Sequence, residues 1–318
     1  MALSSWAQEA TDRFFSSRKS PSQAQCDDVA LSVSDASMVS PVDSPGSLSY
    51  TVICNGRPGL PDLVISFREP GGTLDEEMVK LAKEIHGDLV PESTYHGNVE
   101  GADPPLSIYS MPCLQGSSCV EVLAFQEEME SDEQAKHTVF IRHLARYFAR
   151  SGGREGIRKR FARLERELPP SSLPNSLLSK LIEDIPSHFN QDYPQVLTHG
   201  DFSVKNILLD EDTFEITGIV DWSLATIMPF GMDLDILYLT TWFMTRDGWH
   251  DYACKQLLRD VFWDEFWAAS GIEGEERRGR TRRLAEARNA DGSPSEEVLV
   301  SEGRMKQLGA WFGGEAAT

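Results

Sequence analysis

Leu197-Thr198-His199-Gly200-Asp201-Phe202-Ser203-Val204-Lys205-Asn206-Ile207-Leu208-Leu209-Asp210 leads, after a short charged turn, into Ile219-Val220-Asp221-Trp222. Two apolar runs flank a polar loop that carries an aspartate and an asparagine separated by four residues; a second aspartate closes the next β-branched run. Phosphoryl transfer has a loose transition state, so a protein that catalyses it mainly positions groups and balances charge. Asp201 is suited to hold an acceptor hydroxyl and take its proton as the catalytic base. Asn206 and Asp221 are suited to hold magnesium, which takes hard oxygen donors and keeps several waters. Taken singly, each has a plainer use: Asp201 as a turn residue after glycine, Asn206 as a loop-to-backbone donor, Asp221 as a strand-end turn. Together, at these offsets, they form a constellation that the plainer uses do not account for. An acid closing the apolar run Ile216 to Val220 is also costly unless charge-paired, which favours a metal. His199 is expected to support the loop by hydrogen bonding rather than to carry protons.

Upstream of this segment the chain reads as strand-rich. Residues 1–50 are rich in Ser, Asp and Pro and give a leading helix and a loop-rich approach to a sheet. Ser49 to Cys54 and Asp62 to Arg68 are short, β-branched and bounded by Gly or Pro, so they read as paired strands. Leu74, Met78, Leu81, Ala82 and Ile85 recur at helical spacing, and Leu106 to Met111 is a further strand ended by Pro112. After Gly116 the pattern turns helical: a helix through Arg150 with Ser131 as its cap, stopped by Gly152-Gly153; Arg154 to Leu168; Ser176 to about His188; Leu234 to Met244, with Asp233 as its cap; Asp251 to Ala269; and a last one around Ser295 to Trp311. The order predicts an α+β chain with an N-terminal lobe over residues 1–111, built on a small antiparallel sheet, and a larger, mainly helical C-terminal lobe over 112–318. The two join near Met111 to Gly116.

The segment His199 to Asp235 holds His-Gly-Asp-x-x-x-x-Asn-Ile-Leu, then Val-Asp-Trp, then Pro229-Phe230-Gly231-Met232-Asp233-Leu234. It resembles the aminoglycoside phosphotransferase and choline kinase-like family, most closely a fungal-type branch, and the resemblance runs from about Gly46 to about Phe243. It implies the two-lobe protein-kinase-like fold and a transfer from ATP, with Mg2+, to a hydroxyl of a small molecule. Kinase catalytic loops read His-x-Asp with an Asn further on and a metal-binding Asp after the next hairpin; the matching positions are His199, Asp201, Asn206 and Asp221. Ser203 stands where protein kinases usually carry Lys, Asp221-Trp222-Ser223 replaces Asp-Phe-Gly, and no Ala-Pro-Glu follows, which fits the small-molecule branch. The small lobe departs from the pattern. Its strand Leu63 to Arg68 contains no lysine for the α- and β-phosphates, and Arg68 is the only cation there. A guanidinium holds phosphate well and stays charged; an exposed strand-end arginine is the equal alternative, with Lys80 or Lys83 as the next cations. Glu77 is the chosen partner on the following helix, with Glu76 close behind. Ser44 to Tyr50 lies where a phosphate-covering loop belongs, and Ser47 and Ser49 offer hydroxyl and N–H groups to the nucleotide. Met111 and Cys113 fall in the segment expected to meet the adenine through backbone groups.

Formal net charge is −20, from 50 acidic and 30 basic side chains. That field repels nucleic-acid backbone and anionic membrane, so neither is expected as a partner. It favours a cationic or neutral acceptor, and an amine-containing small molecule is the expectation, although an acidic surface also serves solubility. The basic runs Arg154 to Arg166 and Arg277 to Arg283 are interleaved with Glu and read as solvated helix faces. Five scattered cysteines without metal-ligand spacing point to a reduced, cytoplasmic protein. Met1 to Ser20 lacks a secretory pattern, and Asp221, Asp233 and Asp235 interrupt the most apolar span, Ile216 to Met244, which argues against a membrane helix. Two rival functions remain. One is a kinase-like binding or regulatory protein, inactive for want of the nucleotide lysine; the intact Asp201, Asn206 and Asp221 argue against it. The other is a metal-dependent hydrolase built on His199, Asp201 and Asp221, which lacks a second histidine cluster and gives Asp-x-x-x-x-Asn no role.

Overall fold

A computed structural model describes residues 5–56, 59–123, 129–151, 193–245 and 248–286. Two helices open the chain where the sequence predicted one: α1 (Ser5–Ser16) and α2 (Gln23–Ser34). Ser22 and Gln25 close a capping box at the start of α2, each side chain taking the other's backbone N–H. A five-stranded antiparallel sheet follows, formed by β1 (Met38–Pro41), β2 (Ser49–Asn55), β3 (Leu63–Arg68), β4 (Thr94–Asn98) and β5 (Ser107–Pro112) in the spatial order β1-β2-β3-β5-β4. Its register sets Ser49 opposite Arg68 and Val64 opposite Met111. The strand period of two sends Tyr50, Val52, Cys54, Ile65 and Phe67 to one face, where they pack with Phe14, Cys26 and Ala30 from α1 and α2. Val64, Tyr109 and Met111 pack with the second, larger core. On that side lies α3 (Glu76–His86), whose buried stripe is Met78, Val79, Ala82 and Ile85 and whose N-terminus Asp75 caps by accepting from the Glu77 and Met78 N–H groups. Strands β1 and β4 escaped the sequence reading; most residues of β4 are exposed, so it shows no apolar alternation.

The rest is mainly helical. After the short β6 (Ser117–Ser118) and α4 (Cys119–Val122) comes α5 (Ser131–Arg150), over the span the periodicity predicts. Ser131 is its first helical residue rather than its cap; Glu130 holds the cap position and makes no side-chain cap bond. Strands β7 (Gln195–Thr198), β8 (Ile207–Leu209), β9 (Ile216–Ile219) and β10 (Thr226–Pro229) form two small ladders, β7 with β10 and β6-β8-β9. The helix predicted over Leu234 to Met244 is cut to α6 (Asp235–Leu239). Thr240 and Thr241 turn their hydroxyls back onto the Ile236 and Leu237 carbonyls, competing with the helix ladder. The chain then enters a hairpin of β11 (Trp242–Thr245) and β12 (Gly248–Asp251), which is why the next helix, α7 (Lys255–Ser270), starts later than Asp251. Its Leu258, Phe262 and Phe266 share the larger core with Phe140, Leu144 and Phe148 of α5. The basic run Arg277 to Arg283 lies on α8 (Glu275–Ala285). The helices predicted at Arg154 to Leu168, Ser176 to His188 and Ser295 to Trp311 lie outside the described residues. Among the described residues no helix is long and apolar enough to cross a membrane. The architecture is α+β: an antiparallel sheet flanked by helices precedes a mainly helical lobe, the protein-kinase-like order.

Candidate active site

Strand β7 ends at Thr198, and the turn that follows begins with a fully buried His199. Both ring nitrogens are in use. Nε2 donates to the Val220 carbonyl at 2.8 Å, and Nδ1 accepts from the Asp201 N–H at 3.3 Å. A carbonyl only accepts, so the proton sits on Nε2 and the ring is neutral. Burial lowers its pKa, and the Val220 carbonyl, Asp221 and Asp201 oppose that only in part. The imidazole therefore ties the loop to the end of β9, and with neither nitrogen open it is not available as a metal ligand. Gly200 has φ 82°, and a Cβ there would lie 2.3 Å from the Leu224 carbonyl oxygen, so the turn needs glycine.

The loop is held from three more sides. Asp233, 7% exposed, accepts the His199 N–H at 2.6 Å and the Gly200 N–H at 3.3 Å. The sequence reading gave this residue a different role, as the cap of the next helix. The carboxylate points back to the turn instead, and Leu234 holds the cap position of α6. Burial raises the Asp233 pKa to about 6, against the two N–H bonds that lower it. At the other end of the loop the Val120 N–H and the Ser118 hydroxyl donate to the Val204 carbonyl. Underneath, Phe202 stacks on Tyr147 with ring centres 4.7 Å apart, and Trp222 lies against His199 at 4.7 Å. Phe202 and Trp222 carry no chemistry and gave no signal beyond their apolar character, yet they set the loop's depth in the core.

On this support stand the polar residues. Asp201 is exposed; Asn206 Nδ2 donates to its backbone carbonyl at 2.8 Å and to its Oδ2 at 3.2 Å. That leaves Asn206 Oδ1 without a protein partner among the described residues. The β8–β9 hairpin sets Ile207 opposite Ile219, and the Val220 N–H donates to the Asn206 carbonyl at 2.9 Å. Asp221 follows directly, in the left-handed region at φ 63°. Its Oδ1 accepts from Arg68 Nη1 at 2.8 Å and from the Ser223 hydroxyl at 3.1 Å. Burial pushes the Asp221 pKa up, but the charge and hydrogen bond of Arg68 outweigh it and hold the carboxyl below its ordinary value. The charge partner that this strand-end acid required is thus Arg68, reaching across from β3.

Arg68 also donates to the Gly72 carbonyl at 3.1 Å, and its Nε is buried with no partner. It lines a narrow cleft between the sheet and the turn after β9 together with Leu74, Val79, Met111, Asp221 and Trp222. Ser49 is buried beside Arg68 in the ladder, while Ser47 is exposed in the preceding loop. Glu77 and Glu76 are exposed in the first turn of α3. Lys83 bonds the Val90 carbonyl and Lys80 is exposed. The Cys113 N–H is taken by the Asp62 carbonyl at 3.1 Å, and burial, then Asp62, raises its thiol pKa.

One contact had no counterpart in the sequence reading. Helix α1 reaches the His199–Asn206 loop, where Lys205 Nζ lies 4.9 Å from the centre of the Trp6 ring. Burial lowers the Lys205 pKa and the nearby Asp201 opposes it. The other end of α1 is fastened to the sheet: Phe15 meets Tyr50 edge-on at 4.8 Å, and Arg18, just past the helix, pairs with Glu69. A larger cavity of about 590 Å3 opens among acidic residues including Glu121, Glu133 and Glu211, and none of the candidate residues lines it.

The donor set fits a magnesium nucleotide. No group of three or more His, Cys, Asp or Glu side chains among the described residues is placed to hold a metal alone. A cation here would draw on Asn206 Oδ1, Asp221, waters and phosphate oxygens, as magnesium does. The orphaned Arg68 Nε calls for an anion.

A model of the phosphotransferase enzyme family matches residues 80–283. Among solved structures the chain is similar to an ethanolamine kinase from Plasmodium vivax, at 13% identity over 90% of this chain and 85% of that one, TM-score 0.49. It is also similar to an aminoglycoside phosphotransferase from Streptomyces rimosus, at 16% identity over 80% and 93% with TM-score 0.46. A third is an aminoglycoside-3'-phosphotransferase of type VIII, at 18% identity over 82% and 98% with TM-score 0.44. No curated protein matches the chain.

Proposed function

Because the chain belongs to the phosphotransferase enzyme family, we propose that it transfers the terminal phosphoryl group of ATP, with Mg2+, to a hydroxyl of a small molecule. The observation that carries this reading is the convergence of Asp201, Asn206 and Asp221 on one braced loop and hairpin, with the Arg68 guanidinium facing them. Asp201, exposed and oriented by Asn206, holds the acceptor hydroxyl and takes its proton. Asn206 and Asp221 hold the cation, which neutralises charge on the phosphates when bound. Neutral His199 fixes the loop. Arg68 takes the place of the usual nucleotide lysine, with Ser47 and Ser49 beside the phosphates and Met111 and Cys113 along the adenine edge; Glu77, the partner expected on α3, is exposed, and Arg68 pairs with Asp221 instead. Since the Cys113 N–H is already bonded to Asp62, that residue contributes through its carbonyl or side chain.

Residues 1–111 form the nucleotide-binding lobe on this reading, and 112–318 the lobe with the catalytic loop and the acceptor site. The run Gly46-x-x-Ser49-Tyr50-Thr51 supports placing the chain in a fungal-type branch. A net charge of −20 supports an amine-containing acceptor and disfavours nucleic acid. Five free cysteines, three of them buried, support a cytoplasmic setting. The test is a mass-spectrometric screen of ATP consumption and of a gain of one phosphoryl group against pooled amines, alcohols and amino alcohols. A phosphorylated hydroxyl product supports the reading. ATP turnover that releases only inorganic phosphate across all pools counts against it.

A further inference from the structure

Arg68 and Asp221 occupy each other in a way that bears on how the site loads. The ion pair is short, at 2.8 Å, with the arginine side chain 7% exposed and the aspartate 32%. The same carboxylate oxygen also accepts from Ser223, so Asp221 Oδ1 is saturated by protein donors. Arg68 has a second anchor on its own side, the Gly72 carbonyl at 3.1 Å, so its guanidinium remains in the cleft when the Asp221 bond opens. Its Nε points to no acceptor and is buried, a cost that a bound anion would remove. Arginine also cannot lose its charge to relieve the competition, as a buried lysine can.

We propose that Arg68 is a gate on Asp221: it keeps Oδ1 from a divalent cation, sets its own positive charge beside the open Oδ2, and turns from the carboxylate to phosphate oxygens when a nucleotide enters. This rests on reading Asp221 as a metal ligand and deepens that reading. Guanidinium and metal exclude each other at Asp221 Oδ1, whereas guanidinium and phosphate attract. Phosphate binding therefore frees the metal site, and by linkage the metal frees Arg68 for phosphate. The enzyme binds metal weakly alone and strongly with nucleotide, beyond what the phosphates contribute as direct ligands.

The test uses Mn2+ as the probe, titrated without nucleotide and read by electron paramagnetic resonance, on full-length wild type, Arg68→Gln, Arg68→Lys and Asp221→Asn. Arg68→Gln should bind Mn2+ about tenfold more tightly than wild type, in the usual range of coupling between sites. Arg68→Lys, which keeps the charge on a shorter side chain without the planar guanidinium, should fall between them and decides the matter if the glutamine variant does not fold. Combining Arg68→Gln with Asp221→Asn should erase the gain. Mn2+ affinity equal to or weaker than wild type in the folded Arg68 variants overturns the gate. If the double variant binds Mn2+ as tightly as Arg68→Gln does, the metal assignment fails. If Asp221→Asn alone loses Mn2+ while the Arg68 variants match wild type, the gate alone fails.

Discussion

Replacing Asp233 by Asn keeps the side chain's size but removes its ability to accept two backbone N–H groups at once. The carboxylate takes the His199 N–H at 2.6 Å and the Gly200 N–H at 3.3 Å. An amide offers one oxygen, so one buried N–H would face an NH2 group, at a cost of about 1–3 kcal/mol. The substitution also removes a titration. Burial is the main cause that raises the Asp233 pKa from 3.8 to about 6. A carboxyl with a folded-state pKa above its unfolded value binds its proton more tightly when folded. Its stabilisation is fully present below about pH 4 and is lost as pH rises through about 6. That span corresponds to roughly 3 kcal/mol. Asp233→Asn cannot make this gain, so its cost relative to wild type should grow as pH falls from 7 to 4. Urea unfolding of both proteins at several pH values measures it. Asp221 and Glu286, whose pKa values are lowered, pull both curves the other way and cancel in the difference. A difference that stays flat with pH, or a cost below about 0.5 kcal/mol throughout, refutes the role given to this carboxylate.

Gly200→Ala should destabilise the protein by at least about 2 kcal/mol, since the left-handed backbone alone costs about 1–2 kcal/mol with a Cβ and this Cβ also meets the Leu224 carbonyl; thermal melts that match wild type would show that the turn relaxes. Trp6→Ala should speed reductive methylation of Lys205, followed by peptide mass spectrometry, because it removes the ring that lies against that ammonium. An unchanged labelling rate would mean that α1 does not cover the loop.

The parts of the site that the sequence disclosed are those that a short stretch of chain brings together. Asp201, Asn206 and Asp221 lie on one loop and one hairpin, so their offsets alone imply their neighbourhood. Helix α5 was legible because its buried residues Phe140, Ile141, Leu144 and Phe148 keep helical spacing along an otherwise polar segment. Contacts between distant segments leave no such mark. Asp233 reads locally as a helix cap, and only the folded chain turns it onto His199 and Gly200. The reach of Trp6 to Lys205 and of Arg68 to Asp221 likewise depends on how the sheet meets the helical lobe. The overlong helix at Leu234 to Met244 came from reading apolar spacing through Thr240-Thr241, where side-chain hydroxyls compete for the helix carbonyls.

The most direct test of catalysis by the braced loop is Asp201→Asn, assayed by single-turnover transfer to the acceptor found in the screen, with Mg-ATP affinity measured in parallel by calorimetry. Asp201 is exposed and carries none of the bonds that fasten the loop to the core through Asp233 and Ser118. The account predicts nucleotide affinity within about twofold of wild type and a transfer rate lower by about 10²–10⁴-fold, the usual contribution of a general base. A variant that transfers at near wild-type rate, or whose loss of rate is matched by an equal loss of Mg-ATP affinity, would contradict it.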